Sequence, residues 1–442
     1  MKVLRRKNSR SKTGQRQVRT LNKRAMAAAC AVTALAVLFS GCVRREEQKS
    51  LSVKELSDIS PALGYLAARA EHCEGFIYVE NSKSDAGSFA YLYDSAAAII
   101  ALTEAGADYH AQLIADALVF AMNHDRFFDD GRLRNAYAGG NPERDSGWSI
   151  LRGREAVRLP GIWKDGVWSE DYYAVSTSTG NMAWAILALC DAARNATEKK
   201  AAEYTGAAQR AAEFVLTLRS DTGGFTGGYE GWDQNQVVVT YKSTEHNIDL
   251  ICAFTSLASL IRETDPLKAD IYTEASEHAK TFVLGMYDKR LHCFYTGTQN
   301  DGVTVNKGVL PLDTNTWAIL ALNGEFADAR SVIGFVEQNI SVGRGFDFSA
   351  GDLNGIWNEG TAQMAVCYRL LGDIESYDRV MAYLATQTAE DGSVTATDRN
   401  GVSTGFMVSG TDIMWKYDNT TNLGATNWTA FAQMGVNPLR KR

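Results

Sequence analysis

Six times along the chain a short polar segment runs straight into a body of apolar residues, and this recurrence limits the possible folds more than any other feature. The units are Tyr93–Leu102 (YDSAAAIIAL), Thr179–Leu189 (TGNMAWAILAL), Lys242–Phe254 (KSTEHNIDLICAF), Asp313–Leu322 (DTNTWAILAL), Glu359–Leu371 (EGTAQMAVCYRLL) and Gly424–Met434 (GATNWTAFAQM). A helix that is apolar all round must be buried on several sides, whereas a striped one can face water. Striped segments alternate with the buried ones: Val53–His72, Tyr109–Asn123, Lys200–Arg219, Lys268–Met286, Phe326–Asn339 and Ile374–Thr388. Six of each in alternation predict an all-α (α/α)6 barrel, with six inner helices wrapped by six outer ones. A helical solenoid is the rival, but solenoid repeats keep a near-constant period and these units recur irregularly. Strand signals are few, and runs such as Val237–Thr240 fit small hairpins within loops.

The connections are asymmetric. Inner helices pass to outer ones through short links, such as Thr103–Asp108 and Gly372–Asp373. Outer helices return through long ones: Asp125–Ser178, Ser220–Lys242, Tyr287–Leu312, Ser341–Asn358 and Ala389–Asn422. All the long loops therefore emerge on the face that holds the inner-helix N-termini. Long loops inside a compact domain are usually functional or disordered, and these are rich in Trp, Tyr and Gly. They read as the walls of a site.

The first 41 residues stand outside this plan. Met1–Arg24 carries ten Lys or Arg and no acid, Ala25–Phe39 is apolar, and the run closes with Leu38-Phe39-Ser40-Gly41-Cys42. That order is an export signal, and small residues directly before a cysteine resemble the lipobox of bacterial lipoproteins. The resemblance implies cleavage after Gly41, acylation of Cys42 and a lipid-anchored, exported protein, with residues 42–52 as a tether and 53–442 as the catalytic domain. Loss of the ten cations takes the formal charge from -7 to -17, which leaves no electrostatic footprint for nucleic acid. Cys190, Cys252 and Cys367 lie in apolar helical runs and read as core. Cys73 and Cys293 are open to pairing in an oxidising compartment, and no zinc spacing is present.

Aligned on their apolar bodies, the polar heads fall into register. Nine residues before Phe254, Leu322 and Tyr368 stand Glu245, Asp313 and Glu359. One position further on come Asp94, Asn181 and His246. Taken singly, each acid is explained by the helix dipole, about 0.3–1 kcal/mol at an N-terminus, and Asp313 needs nothing more. Glu is a poor N-cap, however, and carboxyls converging on one mouth beneath aromatic loops are what glycosidic bond cleavage needs: one to protonate the leaving oxygen, another to activate water or attack the anomeric carbon. Tyr93, Asn181, His246, Asn247, Trp232, Trp357 and Gln363 are the expected substrate contacts around them.

Tryptophans divide by position. Trp184, Trp317 and Trp428 lie in the apolar bodies and read as core. Trp148, Trp163, Trp168, Trp232, Trp357 and Trp415 lie in the loops, where they either stack on sugar faces or pin the loops down. Other chemistries lack parts. Glu245-His246 is not HExxH, no GxxxxGK occurs, the GxSxG at Gly401–Gly405 lies in the last long loop and opens no apolar helical run as a nucleophile elbow would, and the glycines of Thr222–Gly228 and Asn135–Gly140 follow no strand in the manner of a nucleotide loop. No metal and no cofactor is expected.

Over residues 53–439 the chain resembles the six-hairpin glycosidase superfamily, on the strength of the alternating helices together with STEHN, DTNTW, NEGTAQ and the closing GATNWTAFAQMGVNPL. The resemblance implies catalytic acids at the mouth formed by inner-helix N-termini, where Asp94, Glu245, Asp313 and Glu359 fall, and a carbohydrate substrate. Glycoside hydrolysis with Glu245 and Glu359 as the leading pair, by a monomer, is the expectation. The same toroid serves lyases, phosphorylases, epimerases and terpene cyclases, so fold alone does not fix the reaction. A polysaccharide lyase would draw on Arg152, Arg154, Arg158 and Lys164, and a glycan-binding lipoprotein without turnover is the other alternative.

Overall fold

The alternation of buried and striped segments becomes an alternation of inner and outer helices. The structure, a computed structural model, describes residues 51–80, 88–144, 156–408 and 411–440. The export signal, Cys42, most of the tether, Trp148, Arg152, Arg154 and the side chain of Lys164 lie outside the described residues. The described helices are α1 Val53–Ile59, α2 Pro61–Cys73, α3 Leu92–Glu104, α4 Asp108–Asn123, α5 Tyr172–Val175, α6 Thr179–Asn195, α7 Glu198–Leu216, α8 Thr244–Ile261, α9 Pro266–Gly285, α10 Leu312–Leu322, α11 Ala329–Asn339, α12 Asn358–Leu371, α13 Ile374–Ala385 and α14 Leu423–Met434.

The inner set is α3, α6, α8, α10, α12 and α14. Each packs against the next, and α14 returns to pack against α3, so the ring closes. The six hairpins form an (α/α)6 toroid with α2, α4, α7, α9, α11 and α13 outside. In α10 every residue from Leu312 to Leu322 is buried, which is what an all-apolar body requires. No described helix is long and apolar enough to cross a membrane.

One predicted helix is two. The periodicity over Val53–His72 continues through Ser60, but that residue is extended (φ -155°, ψ 122°) and breaks the run. The residue before a proline is pushed out of the helical region, and Pro61 then starts α2 at the position where its missing N–H costs nothing. Ser60 serves both helices, its N–H closing α1 on the Leu56 carbonyl and its Oγ accepting the Leu63 N–H at 3.2 Å.

Four outer helices end in the same device, a tight antiparallel turn. Tyr287–Asp288 pairs with Cys293–Phe294, Ser341–Val342 pairs with Gly345–Phe346, and single bridges join Arg219 to Phe225 and Thr388 to Val394. The fourth residue of the following inner helix then latches that turn. Asn247 Oδ1 accepts the Phe225 N–H (2.8 Å), Asn315 Oδ1 the Phe294 N–H (2.9 Å), Thr361 Oγ1 the Phe346 N–H (3.0 Å) and Thr426 Oγ1 the Val394 N–H (3.1 Å). Each of the four also donates back to the carbonyl of its own N-cap residue, Ser243, Pro311, Trp357 or Asn422. The close approach explains Gly224 in the first turn: its φ is +68°, and a Cβ there would lie 2.6 Å from the Phe282 ring and 2.9 Å from Asn247 Oδ1. The five described cysteines are buried free thiols, Cys73 and Cys293 among them.

Candidate active site

Because the inner helices start on one face, their second residues form a ring: Tyr93, Gly180, Glu245, Asp313, Glu359 and Gly424. The third residues follow one step on, with Asp94, Asn181 and His246 on α3, α6 and α8. The two glycines are spaces that neighbours occupy. A Cβ on Gly424 would meet Glu359 Oε2 at 2.3 Å, and one on Gly180 would meet His246 Cδ2 at 2.5 Å. Glu359 thereby reaches across α14 to α3, where the Tyr93 hydroxyl donates to its Oε1 (2.7 Å) and itself accepts the Trp428 Nε1–H (2.6 Å).

Beneath the ring lies an aromatic floor. Tyr93 meets Trp184 edge-on at 5.0 Å between ring centroids, Trp184 meets Trp317 at 5.4 Å, and Trp317 stacks on Trp428 at 5.8 Å. All three tryptophans are buried, as their positions in the apolar bodies require. This floor is what desolvates the carboxyls. Asp313 and Glu359 are only 7% exposed, whereas Asp94, Glu245 and His246 keep an accessible edge toward the mouth although protein surrounds them otherwise.

The electrostatics follow from burial without a counter-charge. Burial pushes Glu359 up to about 8, against the Tyr93 hydroxyl, which favours the ionised form, and with Asp94 and Asp313 adding to the rise. Asp94 rises to about 7 by burial alone. Burial takes Asp313 to about 6, held back by the N–H and hydroxyl of Thr314. Glu245 is pushed well up by burial first, then by the neighbouring Asp313 and Glu359. The helix dipole acts the other way, but at about 0.3–1 kcal/mol it is worth less than one pKa unit and burial wins. Burial lowers His246 to about 4, so its imidazole is neutral at pH 7. Carboxyls so coupled do not ionise together.

The walls come from the long loops. The Asn181 amide donates to Asn135 Oδ1 (2.9 Å) and lies 3.4 Å from the Tyr173 hydroxyl, and the Tyr173 ring lies 6.4 Å from that of Tyr91. Trp232, 49% exposed, meets Tyr172 edge-on at 5.0 Å. Tyr417 lies close enough to Glu359, Asp94 and Asp313 that their charges, after burial, raise its phenol. Among the described residues no three His, Cys, Asp or Glu side chains are grouped to hold a metal ion.

Three expected substrate contacts are placed elsewhere. Asn247 is fully buried as the latch on Phe225, with all its hydrogen bonds to backbone. Trp357, at 3% exposure, packs against Phe348 (4.6 Å) and stacks on Tyr417 (6.3 Å), so it pins its loop. Gln363 is buried between α12 and α10, its Oε1 accepting from Thr316 Oγ1 at 2.8 Å. The Tyr93 hydroxyl is engaged by Glu359 and Trp428, which makes Tyr93 a support for a carboxyl.

Sequence reasoning missed Asp249, a fully buried acid one turn after Glu245. Its signal was available, since an acid inside an otherwise apolar helical body is an anomaly. It also missed the ionic network that ties the first long loops together. Arg134, completely buried, donates to both oxygens of Asp125 (2.6 and 3.0 Å) and to Asp233 (2.6 Å), while Arg126 bridges Asp233 (2.7 Å) and Glu170. Sequence separations of 99 and 107 residues hid the two pairings to Asp233.

Fold and mouth define a six-hairpin (α/α)6 toroid whose inner-helix N-termini gather carboxyls. Solved structures repeat the architecture. A wild-type glycosidase superposes with a TM-score of 0.56 at 11% identity, over 88% of this chain and 100% of its own. An alpha-amylase from Clostridium perfringens gives 0.56 at 11%, over 85% and 97%, and cellobiose 2-epimerase from Bacillus thermoamylovorans gives 0.55 at 11%, over 86% and 99%. At these identities the likeness is one of fold. No protein-family model matches the chain, and no curated protein matches it in sequence.

Proposed function

We propose that the protein is a glycoside hydrolase acting on uncharged poly- or oligosaccharides, with Glu245 as general acid and Glu359 as the carboxylate that activates water or attacks the anomeric carbon. The observation that carries this reading is the gathering of Asp94, Glu245, Asp313 and Glu359 at matching positions of the inner helices, with no cationic group among the causes of their shifts. Asp313 ionises first, and its negative charge beside Glu245 keeps the proton that an acid catalyst must hold. Glu359 has a hydroxyl donor in Tyr93, the support a carboxylate needs once it ionises. Solved toroids named as glycosidase and alpha-amylase support a carbohydrate substrate by analogy.

A mouth that acidic disfavours uronates. The alternative of a polysaccharide lyase therefore has little support, and Arg158, exposed in the first long loop, is the described member of the basic cluster it would use. Epimerisation is the competing reading, favoured by His246, whose imidazole is neutral at pH 7 and keeps an accessible edge, as a base in sugar chemistry requires. One experiment separates these: incubation with a panel of neutral and uronate glycans, with product analysis. New reducing ends support hydrolysis, an ultraviolet-absorbing unsaturated product indicates a lyase, and an isomer without chain cleavage indicates an epimerase. Binding without any product defeats all three in favour of glycan capture.

Export and lipid anchoring at Cys42 belong to the same proposal. Fatty-acid labelling that is retained in Cys42→Ser would overturn the anchor.

A further inference from the structure

Asp249 has no part in the mechanism above, yet it stands directly behind it. It lies on α8 one turn after Glu245, at a spacing that puts side chains about 5–6 Å apart at Cβ. It is fully buried, and neither carboxyl oxygen has a hydrogen-bond partner. Leaving a buried polar group in that condition costs about 1–3 kcal/mol, and more when it is charged. An apolar residue, like its neighbours Ile248 and Leu250, would avoid the cost.

Its surroundings restrict what it can be. Glu245 faces it from the same helix, Asp313 from α10, and from α6 the uncharged indole of Trp184, whose N–H draws near without a well-directed hydrogen bond. Two acids and an indole give an ionised Asp249 nothing to pair with. A neutral Asp249, by contrast, has an O–H to donate, and the group one turn away that gains a charge during the proposed reaction is Glu245.

We propose that Asp249 is a positioning residue for Glu245, remaining a neutral acid and donating its O–H to the Glu245 carboxylate as that carboxylate forms. The inference rests on Glu245 being the acid of the proposed hydrolysis. In that step the Glu245 proton passes to the glycosidic oxygen, and the electron pair of the breaking C–O bond goes to the same oxygen. Water supplies a hydroxyl to the anomeric carbon, and the remaining proton of that water balances the one Glu245 gave. Asp249 keeps its own proton throughout. Its bond to the new anion forms where charge develops, which is where a fixed donor does most for a rate.

Two variants test this, each checked for folding by thermal unfolding. Asp249→Asn keeps an N–H donor and should retain kcat within about threefold, with the alkaline limb of the pH profile near that of the wild type. Asp249→Leu, which removes the donor, should lose about 10- to 100-fold in kcat and move the alkaline limb upward, because the Glu245 anion loses its support. A Leu variant matching the wild type in rate and pH profile overturns the proposal, as does an Asn variant as impaired as Leu. A readout independent of activity is the infrared C=O absorption of protonated carboxyls at pH 7, to which Glu245 and Glu359 also contribute; the difference spectrum of wild type minus Asp249→Asn should carry the band of one further protonated carboxyl. If the two spectra agree, Asp249 is not a neutral acid and the proposal fails whatever the substrate. A wild type that hydrolyses no glycan defeats the function and this role with it, and a persisting band then shows that the failure lies with the reaction.

Discussion

Two sets of buried acids sit within one toroid and behave in opposite ways. In the loop network, Asp125 accepts two N–H bonds from one edge of the Arg134 guanidinium; burial alone would push its carboxyl up, but the guanidinium overcomes this and holds it below the ordinary carboxylate range. At the mouth, Asp94, Glu245, Asp249, Asp313 and Glu359 meet one another, and burial drives every one of them upward. The first set spends its charge holding loops in place; the second holds protons near neutral pH. Depth of burial does not distinguish scaffold from chemistry in this molecule, since Arg134 is as deeply buried as Asp249. The presence of a counter-ion does.

The sharpest way to break that contrast is to remove one carboxyl from each set. Glu245→Gln should cost about 10²- to 10⁴-fold in kcat while the protein stays folded, because an amide replaces an acid that was largely uncharged. Full activity in this variant on a glycan cleaved by the wild type would remove Glu245 from the mechanism. In the loop network the loss should fall on stability. Arg134→Met leaves Asp125 buried with backbone N–H groups but no counter-charge, and Asp233 with Arg126 alone, and should cost about 3–5 kcal/mol in chemical denaturation; a change below about 1 kcal/mol would mean the network is solvated in solution.

Smaller effects come from pH. A Glu359 carboxyl at about 8 in the folded protein, against about 4.3 in the unfolded chain, means that the native state binds more protons between those values. Its contribution is fully present below about pH 4 and is lost as pH rises through about 8. Glu359→Gln should therefore flatten the decline and be more stable than the wild type at alkaline pH by about 1–3 kcal/mol, while losing activity. Unfolding midpoints across pH would contradict this if the variant's slope matched the parent's. The smallest expected change is that of Tyr93→Phe. Without the hydroxyl that favours its ionised form, Glu359 should ionise at higher pH, so the acid limb of kcat/KM should move upward by up to about one unit. A downward shift would show that the hydroxyl stabilises the neutral form.

The fold was legible because burial imposes composition: six bodies apolar on every side can be satisfied only inside a closed ring, and the long loops had to share a face. Glu245, Asp313 and Glu359 were legible because hairpins of common design start their inner helices at a common offset. Two of the misplaced contacts share a cause. What the fourth residue of an inner helix does depends on a turn some 15 to 32 residues earlier in the chain, so Asn247 read as a mouth residue when it is a latch on Phe225. Trp357 read as a sugar platform for the same reason: nothing local announces that Phe348 and Tyr417 enclose it.

Helix α14 has a consequence for the timing of assembly. Its Trp428 holds the Tyr93 hydroxyl and its Asn427 amide donates to the Asp94 carbonyl at 2.9 Å, partners 335 and 333 residues earlier. Contacts that distant form late and slow the search for the native state. While the chain is being synthesised, the carboxyl mouth lacks its sixth side, and Glu359 lacks the gap at Gly424 into which it reaches. The complete mouth therefore arrives at one moment, when the last hairpin docks against the first.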